Sequence, residues 1–173
     1  MTAFDTCLAV ILREEGGFVN NPRDPGGMTN LGITRDTWEA WSKKAASEAD
    51  MRALTPAMVA PLYRTNYWSP LFCDRLPPAL ALCVFDFGVN TGVKRAARYL
   101  QQLVGATPDG SIGPATSAAV DTWIDAHGVA TAVHGYQDAR RGFYRQLATF
   151  KTFGKGWLRR VDDVQATALG MIP

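Results

Sequence analysis

Two carboxylates near the N-terminus are candidates for acid–base chemistry: Glu15 and, nine residues on, Asp24. Phe4, Cys7, Leu8, Ile11 and Leu12 recur at i, i+3, i+4, i+7 and i+8, the period of an amphipathic helix. At about 100° per residue, Glu15 falls near the middle of that apolar stripe and Glu14 on its flank. A carboxyl group is thus aimed where an apolar side chain is expected. Burial disfavours its charged form, and the negative end of the helix dipole acts in the same direction. A carboxyl that keeps its proton near neutral pH can donate it to a leaving group. The competing reading is that the helix has emerged into solvent by residue 15.

Asp24 sits in a stretch dense in turn formers, Asn20-Asn21-Pro22 and Asp24-Pro25-Gly26-Gly27. If that loop folds back over the helix end, a wet carboxylate faces a dry one. Glycosidic bond cleavage uses such a pair, one as acid for the leaving oxygen and one to activate water or stabilise an oxocarbenium ion. Asp24 equally suits an Asx turn before Pro25-Gly26. Thr29 offers a hydroxyl to hold the water or the sugar, or is an ordinary hairpin threonine.

The elements that must position these groups are mostly helices. Gly16-Gly17 stops the first one, and residues 18–33 read as a short irregular β-hairpin or loop excursion. Thr34 can cap a helix carrying Trp38 and Trp41, and Thr55-Pro56 starts another that runs to about Trp68. Ala79–Asn90, after Pro77-Pro78, is apolar nearly all round, as a central buried helix would be. Helices are then expected over Lys94–Leu103, from Pro114 to about Ala126 and over Val129–Phe150. A break at Gly154–Gly156 precedes a last helix, Trp157–Leu169. The fold class is mainly α with one small β excursion after the first helix.

Composition narrows the function classes. The 173 residues are 47% hydrophobic and 20% charged, with net charge +2. A core can form, and the charge is too small to indicate nucleic acid. Cys7, Cys73 and Cys83 are odd in number and form no CxxC pair, so no disulfide framework is expected and the chain reads as made in a reducing compartment. The longest apolar run, residues 79–89, contains Asp86 and is too short to span a membrane. Asp5 interrupts the first stripe and no basic n-region precedes it, so no secretory signal is expected. Only His127 and His134 are present, with no HExxH, so no metal or cofactor is expected and a zinc amidase or peptidase is disfavoured. Neither Cys73 nor Cys83 opens a glycine-rich helix start, which disfavours a Cys–His peptidase. A monomer is expected.

Further residues have two readings each. Asp86 and Asn90, four apart on the central helix, either tie the structure together or serve a sugar cleft; the structural role comes first for Asp86, and the two are balanced for Asn90. Tyr63, Tyr67 and Trp68 share a helical face and suit either stacking on sugars or core packing, with core favoured for Tyr67. Arg140, Arg141, Arg145, Lys151, Lys155, Arg159 and Arg160 read first as a solvated helix face, or else as a surface for anionic polymers.

The run from Glu15 to Thr34, E-G-G-aromatic followed by N-x-P-x-D-x-G-G-x-T-x-x-G-I-T, resembles the opening signature of glycoside hydrolase family 108. Tyr63–Trp68 and Phe85–Gly92 are similar to later parts of that family. Residues 107–116, carrying D-G-x-x-G-P-x-T, resemble the turn of peptidoglycan-binding modules. The resemblance implies a lysozyme-like α fold, with a catalytic region over 1–92 and a helical peptidoglycan-binding region over 93–173 packed against it. It implies N-acetylmuramidase activity on bacterial peptidoglycan, with Glu15 as the catalytic glutamate. The Glu–Asp–Thr order is also similar to that of phage-type lysozymes, in which the threonine spacing is slightly longer. Asp24 and Thr29 are therefore expected beside Glu15 in catalysis; Asn90, Tyr63 and Trp68 are the candidates for substrate binding on their residue chemistry alone. Length and the expected lack of a secretory signal are similar to those of phage endolysins, made in the host cytoplasm and released to the wall through a holin. The alternatives are a lytic transglycosylase and a non-catalytic wall-binding protein.

Overall fold

The computed structural model describes residues 2–20 and 27–173. Among them the chain is mainly α, with one two-stranded antiparallel sheet. It divides into two units, residues 8–64 and residues 1–7 with 65–173.

The unit 8–64 begins inside α1 (Ala3–Glu15). Gly16, left-handed at φ +79, ends that helix as a glycine can without steric cost. Val19 then pairs with Thr29 through two backbone hydrogen bonds of 2.8 and 2.9 Å. Strands β1 (Thr29–Asn30) and β2 (Ile33–Thr34) form a hairpin in the register Thr29 to Thr34 and Asn30 to Ile33. Its two turn residues, Leu31 and Gly32, both have positive φ, +50 and +74. That pattern matches the right-handed twist of a tight hairpin. Thr34 caps α2 (Arg35–Ser42) by accepting from the Thr37 N–H, and Thr55 caps α4 (Pro56–Tyr63), with Pro56 in its first turn. Between them lies α3 (Glu48–Arg52), which the periodicity reading misses. Its signal is a capping box: Ser47 and Asp50 satisfy each other's backbone N–H groups. The buried Asn30 donates from Nδ2 to the Met51 carbonyl at 2.8 Å and ties the hairpin to α3.

After α4 the chain continues as a π-helical turn, Arg64–Trp68, all but the first residue of which belongs to the other unit. At the centre of that unit is α5 (Pro78–Thr91), buried from Ala79 to Gly88. Helices α6 (Val93–Leu103), α8 (Val129–Arg145) and α9 (Phe150–Leu169) pack on it, and α7 (Pro114–His127) packs on α8. A helix apolar on every side has no face to give to water, and this placement follows. Trp68 stands edge-on to Phe4 and to Phe85, with centroids 5.3 Å away in each case, and its Nε1 donates to Asp74 Oδ1.

The D-G-x-x-G-P-x-T turn folds around one glutamine. Gln101 Nε2 donates to Asp109 Oδ1 at 2.8 Å, and Gln101 Oε1 accepts from the Gly110 N–H at 2.9 Å. The exposed Asp109 also accepts from the Ser111 N–H; these bonds hold its carboxyl below the usual value. This turn is scaffold built on local hydrogen bonds.

Two expectations about α8 and α9 are corrected. The break falls at residues 146–149, where no glycine or proline marks it, and α9 runs through Gly154 and Gly156. Gly154 does not stop the helix; a Cβ there would overlap the Phe150 ring, so the missing side chain makes room for it. The basic cluster is likewise not one solvated face. Arg140 is fully buried, 2.6 Å from Asp86, and Arg160 reaches the same carboxylate at 2.8 Å. Arg141 bonds Asp138, Asp162 and Gln165. Arg145, Lys151, Lys155 and Arg159 are exposed.

Candidate active site

Glu15 is the last residue of α1. The stripe predicts a buried carboxyl, but the structure leaves Glu15 half-buried at the end of the helix. The stem of its side chain lies against the hairpin turn. A Cβ built on Gly32 would stand 2.7 Å from Glu15 Cγ and 2.6 Å from the Tyr63 hydroxyl oxygen. Only glycine fits that gap, and the +74 φ disfavours any other residue as well.

Tyr63 completes the support. It is 1% exposed, and its hydroxyl donates to the Leu31 carbonyl at 2.8 Å. Leu31 holds a left-handed φ that a branched side chain seldom adopts, and the Tyr63 bond fixes the carbonyl of that strained residue. The end of α1, the hairpin turn and the end of α4 thus meet at Glu15. A carboxyl held by helix and hairpin is better placed for proton transfer than one on a free loop.

Gly32→Ala follows as a test of this support. The new methyl must displace Glu15 or the turn, and a shift of about 1 Å near reacting atoms costs roughly a hundredfold in rate. If Glu15 is the acid that the family resemblance implies, a folded Gly32→Ala protein should show a kcat on cell-wall substrate lower by about that factor. Unchanged kcat would mean that the Gly32 contact does not set the position of Glu15.

The other expected site residues fall as follows. Asp24 lies outside the described residues. Thr29 is half-buried in β1, its backbone paired with Val19 and its register partner Thr34. Glu14 pairs with Arg13 at 3.6 Å. Tyr63 and Trp68 are corrected as sugar platforms: Tyr63 is enclosed with its hydroxyl given to the turn, and Trp68, in the other unit, is fully buried between Phe4 and Phe85. Neither ring offers a face to a sugar. Tyr67 is half-buried. Asn90, also in the other unit, is exposed near the end of α5, and its Oδ1 accepts from Tyr144 at 2.7 Å. The close approach of Gly32 to the Glu15 stem is what the sequence reading missed. The G-I-T context of Gly32 marks a turn but not what lies beneath it.

Among the described residues, no group of three His, Cys, Asp or Glu side chains could hold a metal ion. The three cysteines are free and buried. Burial pushes the Cys7 thiol up to about 12, and raises Cys73 and Cys83 as well, so none is a ready nucleophile.

Residues 8–92 match the family Glycosyl hydrolase 108, and residues 95–162 match a predicted peptidoglycan domain. A solved structure, that of Brucella abortus SagA, is 39% identical to the chain. The match covers 97% of this chain and 94% of that one, with a TM-score of 0.82. The chain belongs to glycosyl hydrolase family 108. No curated protein matches it. As a family 108 member it is a glycoside hydrolase directed at peptidoglycan. The lysozyme-like, mainly α fold with a small hairpin agrees with the expectation from sequence.

Proposed function

We propose that this family 108 protein is an N-acetylmuramidase. It cleaves the β-1,4 bond between N-acetylmuramic acid and N-acetylglucosamine, with Glu15 as general acid. The observation that carries the proposal is the seat of Glu15: a half-buried carboxyl at a helix end, its stem held under Gly32 beside Tyr63. A further support is the E-G-G signature that begins at Glu15. Asp24 is the proposed second carboxylate, on the strength of its place in the same signature, and Thr29 the residue that holds water or sugar.

In this reading residues 1–92 carry the catalysis and residues 93–173 the wall-binding function of a monomer. An endolysin role, with release to the wall through a holin, belongs to the same proposal and rests on sequence resemblance. Among the described residues no helix is long and apolar enough to cross a membrane.

The reducing end of the product tests the assigned bond. Purified peptidoglycan digested to completion should yield fragments ending in reducing N-acetylmuramic acid by mass spectrometry. Fragments ending in N-acetylglucosamine would contradict the bond assigned. A 1,6-anhydro end would establish a lytic transglycosylase, which keeps the acid and dispenses with the water.

A further inference from the structure

Asp86 lies on α5 with no exposed atom, and two guanidiniums meet its carboxylate. Arg140, equally buried, also donates from Nε and Nη2 to the Tyr144 hydroxyl at 3.3 and 3.2 Å. A guanidinium carries only donors, so the Tyr144 oxygen must accept both bonds. Its lone pairs are then in use, and its single proton has to be given elsewhere. The partner is Asn90 Oδ1 at 2.7 Å. The reverse orientation of the Asn90 amide would aim N–H donors at an oxygen that already accepts two. Its orientation is therefore dictated by chemistry: Oδ1 turns inward, and the Nδ2 donors are left for solvent on an exposed residue.

We propose that this relay, Asp86 to Arg140 to Tyr144 to Asn90, presents Asn90 Nδ2 as a fixed donor for an amide carbonyl of the wall polymer, with the N-acetyl group of an amino sugar as its source. Asn90 is the binding residue, and Tyr144 and Arg140 are positioning residues that act through it. Asn90 and Asp86 lie in the segment matched by the hydrolase family, whereas Arg140 and Tyr144 lie in the segment matched by the peptidoglycan domain. The second segment thus sets a ligand-binding group of the first. A hydrogen-bond donor immobilised before binding loses little freedom when it engages, which is where the relay contributes affinity. The peptide stems of the wall also contain amide carbonyls, and the test separates the two sources.

The proposal rests on the wall-hydrolase reading, and the experiment keeps the two apart by measuring binding, not turnover. The Glu15→Gln protein, labelled with 15N, is titrated with N,N′,N″,N‴-tetraacetylchitotetraose, with the deacetylated tetramer, and with a free stem tripeptide. The Asn90 side-chain amide signals should move with the acetylated tetramer and stay in place with the other two. Asn90→Asp keeps an acceptor for Tyr144 and replaces the outward donors by a charged acceptor oxygen. It should weaken binding of the neutral tetramer about tenfold, the scale of one well-placed hydrogen bond. Tyr144→Phe should weaken it about threefold and broaden the Asn90 amide signals, because the carboxamide is free to flip. Movement with the tripeptide alone would overturn the N-acetyl assignment. Unchanged affinity in Asn90→Asp, with the parent binding the tetramer, would overturn this proposal and leave the hydrolase reading standing. Failure of the parent to bind any acetylated sugar would overturn both.

Discussion

Glu15→Gln is expected to lower the rate of wall digestion by about a thousandfold while leaving the fold in place. Glutamine keeps the size and shape of the side chain, so its stem still fits beneath Gly32. What it lacks is a transferable proton. General acid catalysis typically contributes between about a hundred- and ten-thousandfold, and a thousandfold corresponds to roughly 4 kcal/mol of barrier. The check is turbidity loss of permeabilised cells together with a thermal melt of both proteins. Equal lysis by the two proteins would remove Glu15 from the mechanism. Loss of both melting transition and activity would point to folding as the cause instead.

The second large effect is on stability. Asp86→Ala leaves the Arg140 guanidinium buried without its carboxylate, and strips Arg160, whose side chain is 13% exposed, of the same partner. Removing one member of a buried ion pair costs about 3–5 kcal/mol, because the remaining charge is left uncompensated. For a chain of this size that lowers the melting temperature by roughly 10 °C. Acid should act through the same group. Burial pushes the Asp86 carboxyl up, but the Arg140 and Arg160 guanidiniums outweigh it and hold the group below its ordinary value of 3.8. A carboxyl with a depressed folded-state pKa contributes stability above its unfolded value, and that contribution is lost as pH falls through the folded value. Melts at a series of pH values should show the gap between wild type and Asp86→Ala constant from neutral down to about pH 4, narrowing only in stronger acid. A gap that closes near pH 6 would mean that the two guanidiniums do not hold the carboxylate as described.

What could be read from the sequence is what depends on near neighbours. The α1 stripe, the Thr34 and Thr55 caps and the all-round apolar α5 follow from residues within a few positions of one another. The support beneath Glu15 does not. Gly32 reads as a turn residue until Tyr63, which lies 32 positions from Leu31, is seen to bond the same turn. Tyr63 and Trp68 are legible as aromatic residues on one helical stretch, but that both belong to the core is decided by distant partners: Leu31 for Tyr63, Phe4 and Phe85 for Trp68. The basic cluster misleads for the same reason. Arg160 lies 74 positions from Asp86, so nothing local distinguishes it from the exposed Arg159 beside it. Asp86, by contrast, announces itself, since a lone acid in an apolar helix needs a partner.

The most direct measurement of proton donation by Glu15 compares two leaving groups. Wild type and Glu15→Gln are assayed on peptidoglycan and on a 2,4-dinitrophenyl glycoside of an N-acetylated oligosaccharide, whose departing phenolate needs no proton. The thousandfold deficit on peptidoglycan should shrink to within about tenfold on the activated glycoside. A deficit of the same size on both substrates would show that Glu15 serves some purpose other than giving up its proton.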